Sequence, residues 1–234
     1  MSVIFEKVVA VTALVVGPLS LIVTTVWQWM LQPSGVHPTA ADVAAQFPAA
    51  WLTIGLLAVC GPLVWLMGLP ATATPTGRGS LTTRIGALVT GIGLAAGIGH
   101  LAAFFAQYGA IVAAHLGDDA TAAMNAAAEA EPIGNILLLV FLIGYSLGPI
   151  ILTVGLRMAR TVGVWVPLAA VITAGANLFG GPIAGVVQLV ALIAVWGSLV
   201  IVVLREHTPS VERATRRDTP TTLVHRKSDV GTRP

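Results

Sequence analysis

Residues Ile133–Leu156, IGNILLLVFLIGYSLGPIILTVGL, form a run of 24 residues without one charged side chain. In an α-helix such a run is about 36 Å long, and the hydrocarbon core of a bilayer is about 30 Å thick. Its apolar residues occupy every face of the helix, whereas a helix packed on a soluble core carries a single apolar stripe. The run therefore predicts a transmembrane helix.

Five further runs of this kind occur in the chain, which has 234 residues, 56% of them hydrophobic and only 9% charged. The mean hydropathy of +0.89 is typical of a protein that lies in lipid. Composition and runs together predict an all-α fold: a polytopic integral membrane protein with one transmembrane domain at residues 1–204. We predict six spans, at Val8–Leu31, Ala50–Leu69, Ile85–Ala114, Ile133–Leu156, Val162–Phe179 and Ile183–Leu204.

The basic residues predict which side of the membrane each end of the chain occupies. If the first span enters from the cytoplasm, all 12 Lys and Arg residues lie on the cytoplasmic side, while the charged residues of the outer loops are all acidic. Lys and Arg are retained on the cytoplasmic side during insertion. We therefore predict that both termini are cytoplasmic. We also predict that Gly180-Gly181-Pro182 separates the last two spans, because five spans would carry the basic tail outside.

The segments outside the spans have patterns of their own. The tail, residues 205–234, has seven basic and four acidic residues and no apolar periodicity, which predicts a disordered basic cytoplasmic tail. Thr39-Ala40-Ala41-Asp42 in the first outer loop has the pattern of a helix N-terminus. The second outer loop, residues 117–131, is rich in Ala and acidic residues. Each loop is expected to form a short helix, either as a cover over the bundle or as an ordinary solvated connector.

Two similar motifs indicate an internal repeat. The second span contains GPLV at 61–64 followed by Gly68-Leu69, and the fourth contains GPII at 148–151 followed by Gly155-Leu156. The next spans contain AGIGHL at 96–101 and AGANL at 174–178. The second and third spans would then form a hairpin and the fourth and fifth its copy, related by an axis along the membrane normal. The alternative is coincidence, because Gly and Pro are frequent in membrane helices.

Polar residues inside the spans give the candidate site. No Asp, Glu, Lys or Arg lies deep in a span, which argues against a carboxylate-coupled pump, an intramembrane aspartyl protease or a voltage sensor. His100 lies fifteen positions into the third span and Asn177 fifteen positions into the fifth, so the repeat would make them counterparts facing one cavity. The predicted ligand-binding residues are His100, Gln107, Tyr145, Asn177 and Gln188.

Two interpretations of this polar group stay open. The first is an outward-facing pocket, in which amides and an imidazole hydrogen-bond a small or amphipathic ligand. The second is a set of hydrogen bonds between helices, worth about 0.6–2 kcal/mol each.

The sequence indicates neither catalysis nor a cofactor. Cys60 is the only cysteine, which excludes a cysteine-based metal site, and no second His lies at the depth of His100. The stretch GIGLAAG at 91–97 has the wrong spacing for a dinucleotide-binding loop and lies inside a span. No nucleophile–base pair or carboxylate pair can be assembled in the spans. We expect no catalytic residue, no metal, no cofactor and no nucleic-acid partner.

These observations lead to one functional hypothesis and one alternative. The first is a non-enzymatic protein of a bacterial plasma membrane that binds, senses or transports a small or lipid-like ligand. The bacterial assignment rests on ten Arg against two Lys and on abundant Ala, Val and Gly. The alternative is a structural or assembly subunit that packs through Gly-rich helix faces against a copy of itself or another membrane protein. The lipid bilayer is the first partner in either case.

Overall fold

The computed structural model describes residues 3–31, 40–74, 77–179 and 181–206. Nearly all of the predicted tail and residues 32–39 of the first outer loop lie outside the described residues. The elements within these ranges are α-helices, which confirms the all-α fold class. They are α1 Val3–Met30, α2 Ala40–Gln46, α3 Pro48–Thr72, α4 Ser80–Ala113, α5 Asp118–Ala130, α6 Pro132–Met158, α7 Trp165–Phe179 and α8 Gly181–Glu206.

Five of these helices, α1, α3, α4, α6 and α8, are long and apolar enough to cross a membrane. They make the chain a helical membrane protein. Helix α7 is also apolar but has only 15 residues, or about 22 Å of helix, less than the roughly 30 Å of a hydrocarbon core. The sixth span and the location of the termini therefore stay predictions.

Helix α7 begins at Trp165, three residues later than the predicted start of the fifth span at Val162. The reason lies in the turn that ends α6. Arg160 has a φ of 59°, and the Thr161 N–H donates a hydrogen bond to the Leu156 carbonyl at 3.0 Å. A left-handed residue followed by such a bond is a common way to end a helix. The residues that follow Arg160 are apolar, so the predicted fifth span begins inside this turn and not at the first residue of α7.

The long helices and α7 form a ring in which each packs on the next. Helix α1 packs on α3, α3 on α4, α4 on α6, α6 on α7, and α7 on α8, which closes the ring against α1. Fully buried Trp65 fills the interior, with its ring centroid 4.4 Å from that of Trp196 and 6.2 Å from that of Tyr145. Edge-to-face aromatic packing of this kind closes the axis of the ring at the depth of Trp65.

Glycine brings α4 and α6 into direct contact. A Cβ atom built on Gly93 would lie 2.7 Å from the Gly144 Cα, so the two backbones touch. One turn further along, Thr90 packs on Gly148, and the buried Thr90 hydroxyl donates to the Gly86 carbonyl at 2.8 Å. Small residues allow such close approach, and close approach is what holds helices together in lipid.

The two Gly-Pro motifs of the predicted repeat occupy similar places. Gly61 in α3 faces Ser20 of α1, and Gly148 in α6 faces Thr90 of α4. In both cases the glycine accommodates a hydroxyl-bearing side chain from the long helix before it in the chain. The likeness therefore extends to the helix pairs α1–α3 and α4–α6, although duplication itself stays a prediction.

The two ends of the ring differ in charge. At one end, which we call the arginine end, Lys7 Nζ donates to the Leu204 carbonyl at 2.9 Å, so α1 begins beside the end of α8. The other end, which we call the acidic end, carries the short helices α2 and α5. Charged residues of the arginine end are Glu6, Lys7, Arg78, Arg84, Arg157, Arg160 and Arg205. Those described at the acidic end are Asp42, Asp118, Asp119, Glu129 and Glu131.

Candidate functional site

Three of the five predicted site residues come together where α6, α7 and α8 meet. Gln188 Nε2 donates to Asn177 Oδ1 at 3.3 Å, which joins α7 to α8 near the end of α7. The Gln188 side chain also lies close to the Tyr145 hydroxyl of α6. These polar groups interact with one another across three helices, as the second interpretation of the polar residues expects.

The other two predicted residues lie elsewhere on α4. Helix α4 packs on α3 and α6, whereas α7 packs on α6 and α8, so α6 lies between His100 and Asn177. Gln107 Nε2 lies 3.5 Å from Asn125 Oδ1 of α5, at the acidic end. The half-buried His100 has no hydrogen-bond partner within the described parts of the chain. The structure thus does not gather all five residues into one pocket, and their ligand-binding role stays a prediction.

A cavity of about 580 Å³ lies between α2, α3 and α4 near the acidic end, and we call it the apolar cavity. Hydrocarbon and aromatic groups form its wall. Leu52 is 64% exposed and Leu56 is 55% exposed, and both line the cavity while facing the outer surface of the ring. The cavity is therefore open to the side, where lipid surrounds the protein. The larger side chains lining it are Trp51, Leu52, Leu56, Val59, Phe105 and Val112.

Trp51 and Phe105 fix the shape of this cavity. The Trp51 indole N–H donates to the Phe105 carbonyl at 3.3 Å, and the two ring centroids are 4.7 Å apart. A Cβ atom on Gly55 would lie 3.0 Å from the Phe105 ring, so the glycine lets this ring lie flat against α3. A Cβ atom on Gly109 would meet no atom within 4 Å. The absence of a side chain at Gly109 therefore contributes open space to the cavity.

A second cavity, of about 620 Å³, adjoins the first, and we call it the polar cavity. Helix α2 and Val112 border both cavities. The polar cavity extends from there between α4 and α5, where side chains able to accept or donate hydrogen bonds line it. Those side chains are Asp42, His115, Asp118, Thr121 and Asn125.

His115 reaches the polar cavity because of how α4 ends. Its φ is 49°, and the Leu116 N–H donates to the Ile111 carbonyl at 3.2 Å, the arrangement that also ends α6. His is one of the few side chains enriched in this left-handed region. Among the described residues, no three His, Cys, Asp or Glu side chains form a group that could hold a metal ion.

Hydrogen bonds and ring contacts connect the two cavities. Tyr108 on α4 lies with its ring centroid 5.9 Å from that of Trp51, beside the apolar cavity. The Tyr108 hydroxyl donates to Asn125 Oδ1 at 3.0 Å, and Asn125 lines the polar cavity. An elongated ligand with one apolar and one polar part fits such a pair of compartments.

Sequence reasoning missed this pair of cavities. It treated the loop helices as covers or connectors, without a cavity between them and the spans. One usable signal was present: Phe104, Phe105 and Tyr108 form an aromatic patch near the outer end of the third span, at the same depth as Trp51 at the start of the second. Aromatic residues grouped at one depth on consecutive spans indicate packing between those spans.

The fold and these cavities define a class: an all-helical membrane protein with a two-part cavity at its acidic end. Comparisons of the chain with protein-family models, with curated proteins and with solved structures find no match.

Proposed function

We propose that this protein binds an amphipathic, lipid-like ligand, with the hydrocarbon part in the apolar cavity and the head group in the polar cavity. One observation carries the proposal: an apolar and a polar cavity share a wall, and the apolar one opens sideways toward the bilayer. Each has a volume within the roughly 300–1,000 Å³ that small-molecule sites occupy.

The proposal includes six crossings of a bacterial plasma membrane, with both termini cytoplasmic and the acidic end outside. Two observations support it. The described Lys and Arg residues all lie at the arginine end, as the cytoplasmic retention of basic residues requires. The bond from Lys7 to Leu204 brings the start of α1 and the end of α8 to the same end. The short helix α7 would then return the chain across most of the hydrocarbon core.

A binding role, with no catalytic one, is also part of the proposal. Side chains of the apolar cavity, such as Leu52, Val59 and Phe105, bind hydrocarbon but transfer no protons. Fully buried Trp65 fills the ring axis, so ligand would enter from the bilayer and not through a central channel.

A cavity-filling substitution tests the proposal. Gly109→Leu places a side chain in the apolar cavity at a position where a Cβ meets nothing within 4 Å. Gly197→Leu is the matched control, because its Cβ also meets nothing within 4 Å but Gly197 lies on α8, away from the cavity. Both variants replace a helical glycine by leucine, so both should fold.

The measurement uses protein in phosphatidylcholine nanodiscs and a neutral probe, an alkyl maltoside with a brominated chain. Bromine quenches indole fluorescence on contact, and the difference between wild type and Trp51→Phe isolates the Trp51 signal. We expect saturable quenching of Trp51 in wild type and in Gly197→Leu, and its loss in Gly109→Leu. Equal quenching in both leucine variants, or quenching that never saturates, would overturn the proposal.

The second candidate is a structural or assembly subunit. The bond between Asn177 and Gln188 favours it, because pairing of the polar residues with one another is what this alternative expects. Against it, Gly93, Gly144 and Gly148 are buried between α4 and α6 of the same chain and so are not available to a partner. Mass photometry of the purified protein in nanodiscs distinguishes the candidates: a stable oligomer that binds no amphiphile would favour the subunit.

A further inference from the structure

We propose that the protein has a second lipid site, at the arginine end, where it binds one anionic phospholipid of the adjoining leaflet. One acyl chain of this lipid lies in a groove between α3 and α4, and the phosphate of its head group pairs with the Arg84 guanidinium. This site is separate from the two cavities at the acidic end, so it does not depend on the proposed function.

The groove, which we call the α3–α4 groove, is apolar and faces outward from the ring. It has a volume of about 390 Å³. Leu88 is 64% exposed and Ile92 is 52% exposed, and both line it. A Cβ atom on Gly91 would lie 3.6 Å from the Leu66 Cδ2, so a larger side chain at this position would occupy the groove. In a bilayer such a groove accepts hydrocarbon.

The depth of the groove matches one leaflet. The α4 residues that line it extend from Ala87 to Ala95, three to eleven positions beyond Arg84. At 1.5 Å per residue they lie about 5–16 Å further along the helix, roughly half the thickness of a hydrocarbon core. Arg84 lies one turn before Leu88 on the same face of α4. A lipid whose chain fills the groove therefore has its head group at the level of Arg84.

The charge of this hairpin selects the head group. Residues 48–113, which include α3 and α4, contain two charged side chains, Arg78 and Arg84, and no Asp or Glu. Arg84 is exposed and makes no hydrogen bond or ion pair with any residue that the structure describes. A guanidinium presents a planar fork of N–H donors that matches a phosphate group. A phospholipid with net negative charge is the occupant that complements both the hydrocarbon groove and its basic end.

Arg84 also has a simpler explanation. Basic residues beside a span fix its orientation during insertion, whether or not a lipid binds next to them. In that case every exposed basic residue at this end attracts anionic lipid to a similar extent, and the groove plays no part. Arg205 at the end of α8 is such a residue, because it is exposed and α8 packs mainly on α7 and α1. The two explanations therefore differ in whether binding requires Arg84 and the groove.

The experiment titrates the purified protein in maltoside detergent with dioleoyl phosphatidylglycerol or dioleoyl phosphatidylcholine and counts bound lipids by native mass spectrometry. The two lipids have the same chains and differ in head-group charge. We expect wild type to bind the first phosphatidylglycerol about fivefold more tightly than phosphatidylcholine, with a smaller preference at higher ionic strength. Arg84→Gln should bring the two affinities within about twofold, whereas the matched control Arg205→Gln should keep most of the preference.

Gly91→Leu tests the groove, because it places a side chain between α3 and α4. It should weaken the binding of both lipids, whereas Gly197→Leu on α8, where a Cβ meets nothing within 4 Å, should not. Gly109→Leu, which fills the apolar cavity at the other end, should leave the head-group preference unchanged. Failure of this proposal is therefore distinguishable from failure of the proposed function.

Three results would overturn the second lipid site. Equal affinity of wild type for the two lipids would remove the role of charge, and this result does not depend on whether any variant folds. An equal loss of preference in Arg84→Gln and Arg205→Gln would show attraction to the whole arginine end. Unchanged lipid binding in Gly91→Leu would show that no acyl chain occupies the groove.

Discussion

At the scale of single residues, Gly144 occupies a position with no room for a side chain. A Cβ atom there would lie 2.5 Å from the Gly93 Cα, and a backbone atom cannot rotate away as a flexible side chain can. We expect Gly144→Ala to lower the free energy of unfolding by about 1–3 kcal/mol, the usual cost of overpacking. Thermal unfolding of the purified protein in detergent measures this change.

Gly91→Ala is the control for that experiment. Gly91 lies on the same helix as Gly93, but its Cβ would meet only the Leu66 Cδ2 at 3.6 Å and the Leu69 Cδ1 at 3.8 Å, both ordinary van der Waals distances. We expect this variant to keep or raise the melting temperature, because Ala favours a helix by up to about 1 kcal/mol over Gly. Equal losses in Gly91→Ala and Gly144→Ala would show that the contact between Gly144 and Gly93 does not decide the outcome.

His100 shows what the sequence determines about a single residue in a span. Counting residues gives its depth, because each adds 1.5 Å of helix. The count does not give the helix that faces it, since that depends on how six helices arrange in a ring. His100 and Asn177 were paired by depth and by the predicted repeat, but α6 lies between their helices. Asn177 and Gln188 bond one another because their helices follow each other directly in the chain.

At the scale of helices, the hairpin of α7 and α8 provides the next prediction. Asn177 lies near the end of α7, which has only 15 residues, and bonds Gln188 of α8. A double-mutant cycle with Asn177→Leu and Gln188→Leu should give a coupling free energy of about 0.6 kcal/mol and at most about 1.7 kcal/mol, as between other membrane helices. Reversible unfolding in mixed micelles measures it.

Gln107→Leu completes this cycle as a control. Gln107 bonds Asn125 of α5 and lies on α4, which does not pack on α7. Its effect on stability should therefore add to that of Asn177→Leu without coupling. Coupling of Gln107 to Asn177 as strong as that of Gln188 would mean that the polar residues form one connected pocket after all.

The sequence predicts the helices better than the spaces between them. Long charge-free runs locate α1, α3, α4, α6 and α8. A run that lies in a bilayer must form a helix, because only a helix pairs all the backbone groups of a single segment with one another. Their ends are less certain: α4 begins at Ser80 and not at Ile85, since a helix continues past the hydrocarbon boundary into the polar interface. The apolar cavity depends on how α3 and α4 pack at Trp51 and Phe105. No hydropathy pattern contains that information.

At the scale of the whole molecule, the filled interior of the ring and the side opening of the apolar cavity together determine how a ligand could enter. Trp65, Tyr145 and Trp196 close the interior of the ring, while Leu52 and Leu56 expose the apolar cavity to lipid. A ligand exchanging from the side must come from the leaflet next to the acidic end. The orientation of the chain therefore decides which leaflet supplies it.

Cysteine labelling tests that orientation. In a Cys60→Ser background, which removes the only native thiol, single cysteines replace Thr74 near the arginine end, Ala123 in α5, or Ser228 in the tail beyond the described residues. Six spans with cytoplasmic termini predict that a membrane-impermeant maleimide labels Ala123→Cys on intact cells. Thr74→Cys and Ser228→Cys should react only after permeabilisation.

Each departure from this pattern has a separate meaning. Labelling of Ser228→Cys together with Ala123→Cys on intact cells would mean that α7 does not cross and that the chain has five spans. Labelling of Thr74→Cys and Ser228→Cys without Ala123→Cys would reverse the orientation. The acidic end would then face the cytoplasmic leaflet, whose anionic lipids it repels. A reversed orientation would also place the side opening of the apolar cavity beside the cytoplasmic leaflet, so the labelling result decides which leaflet would supply the proposed ligand as well as the topology.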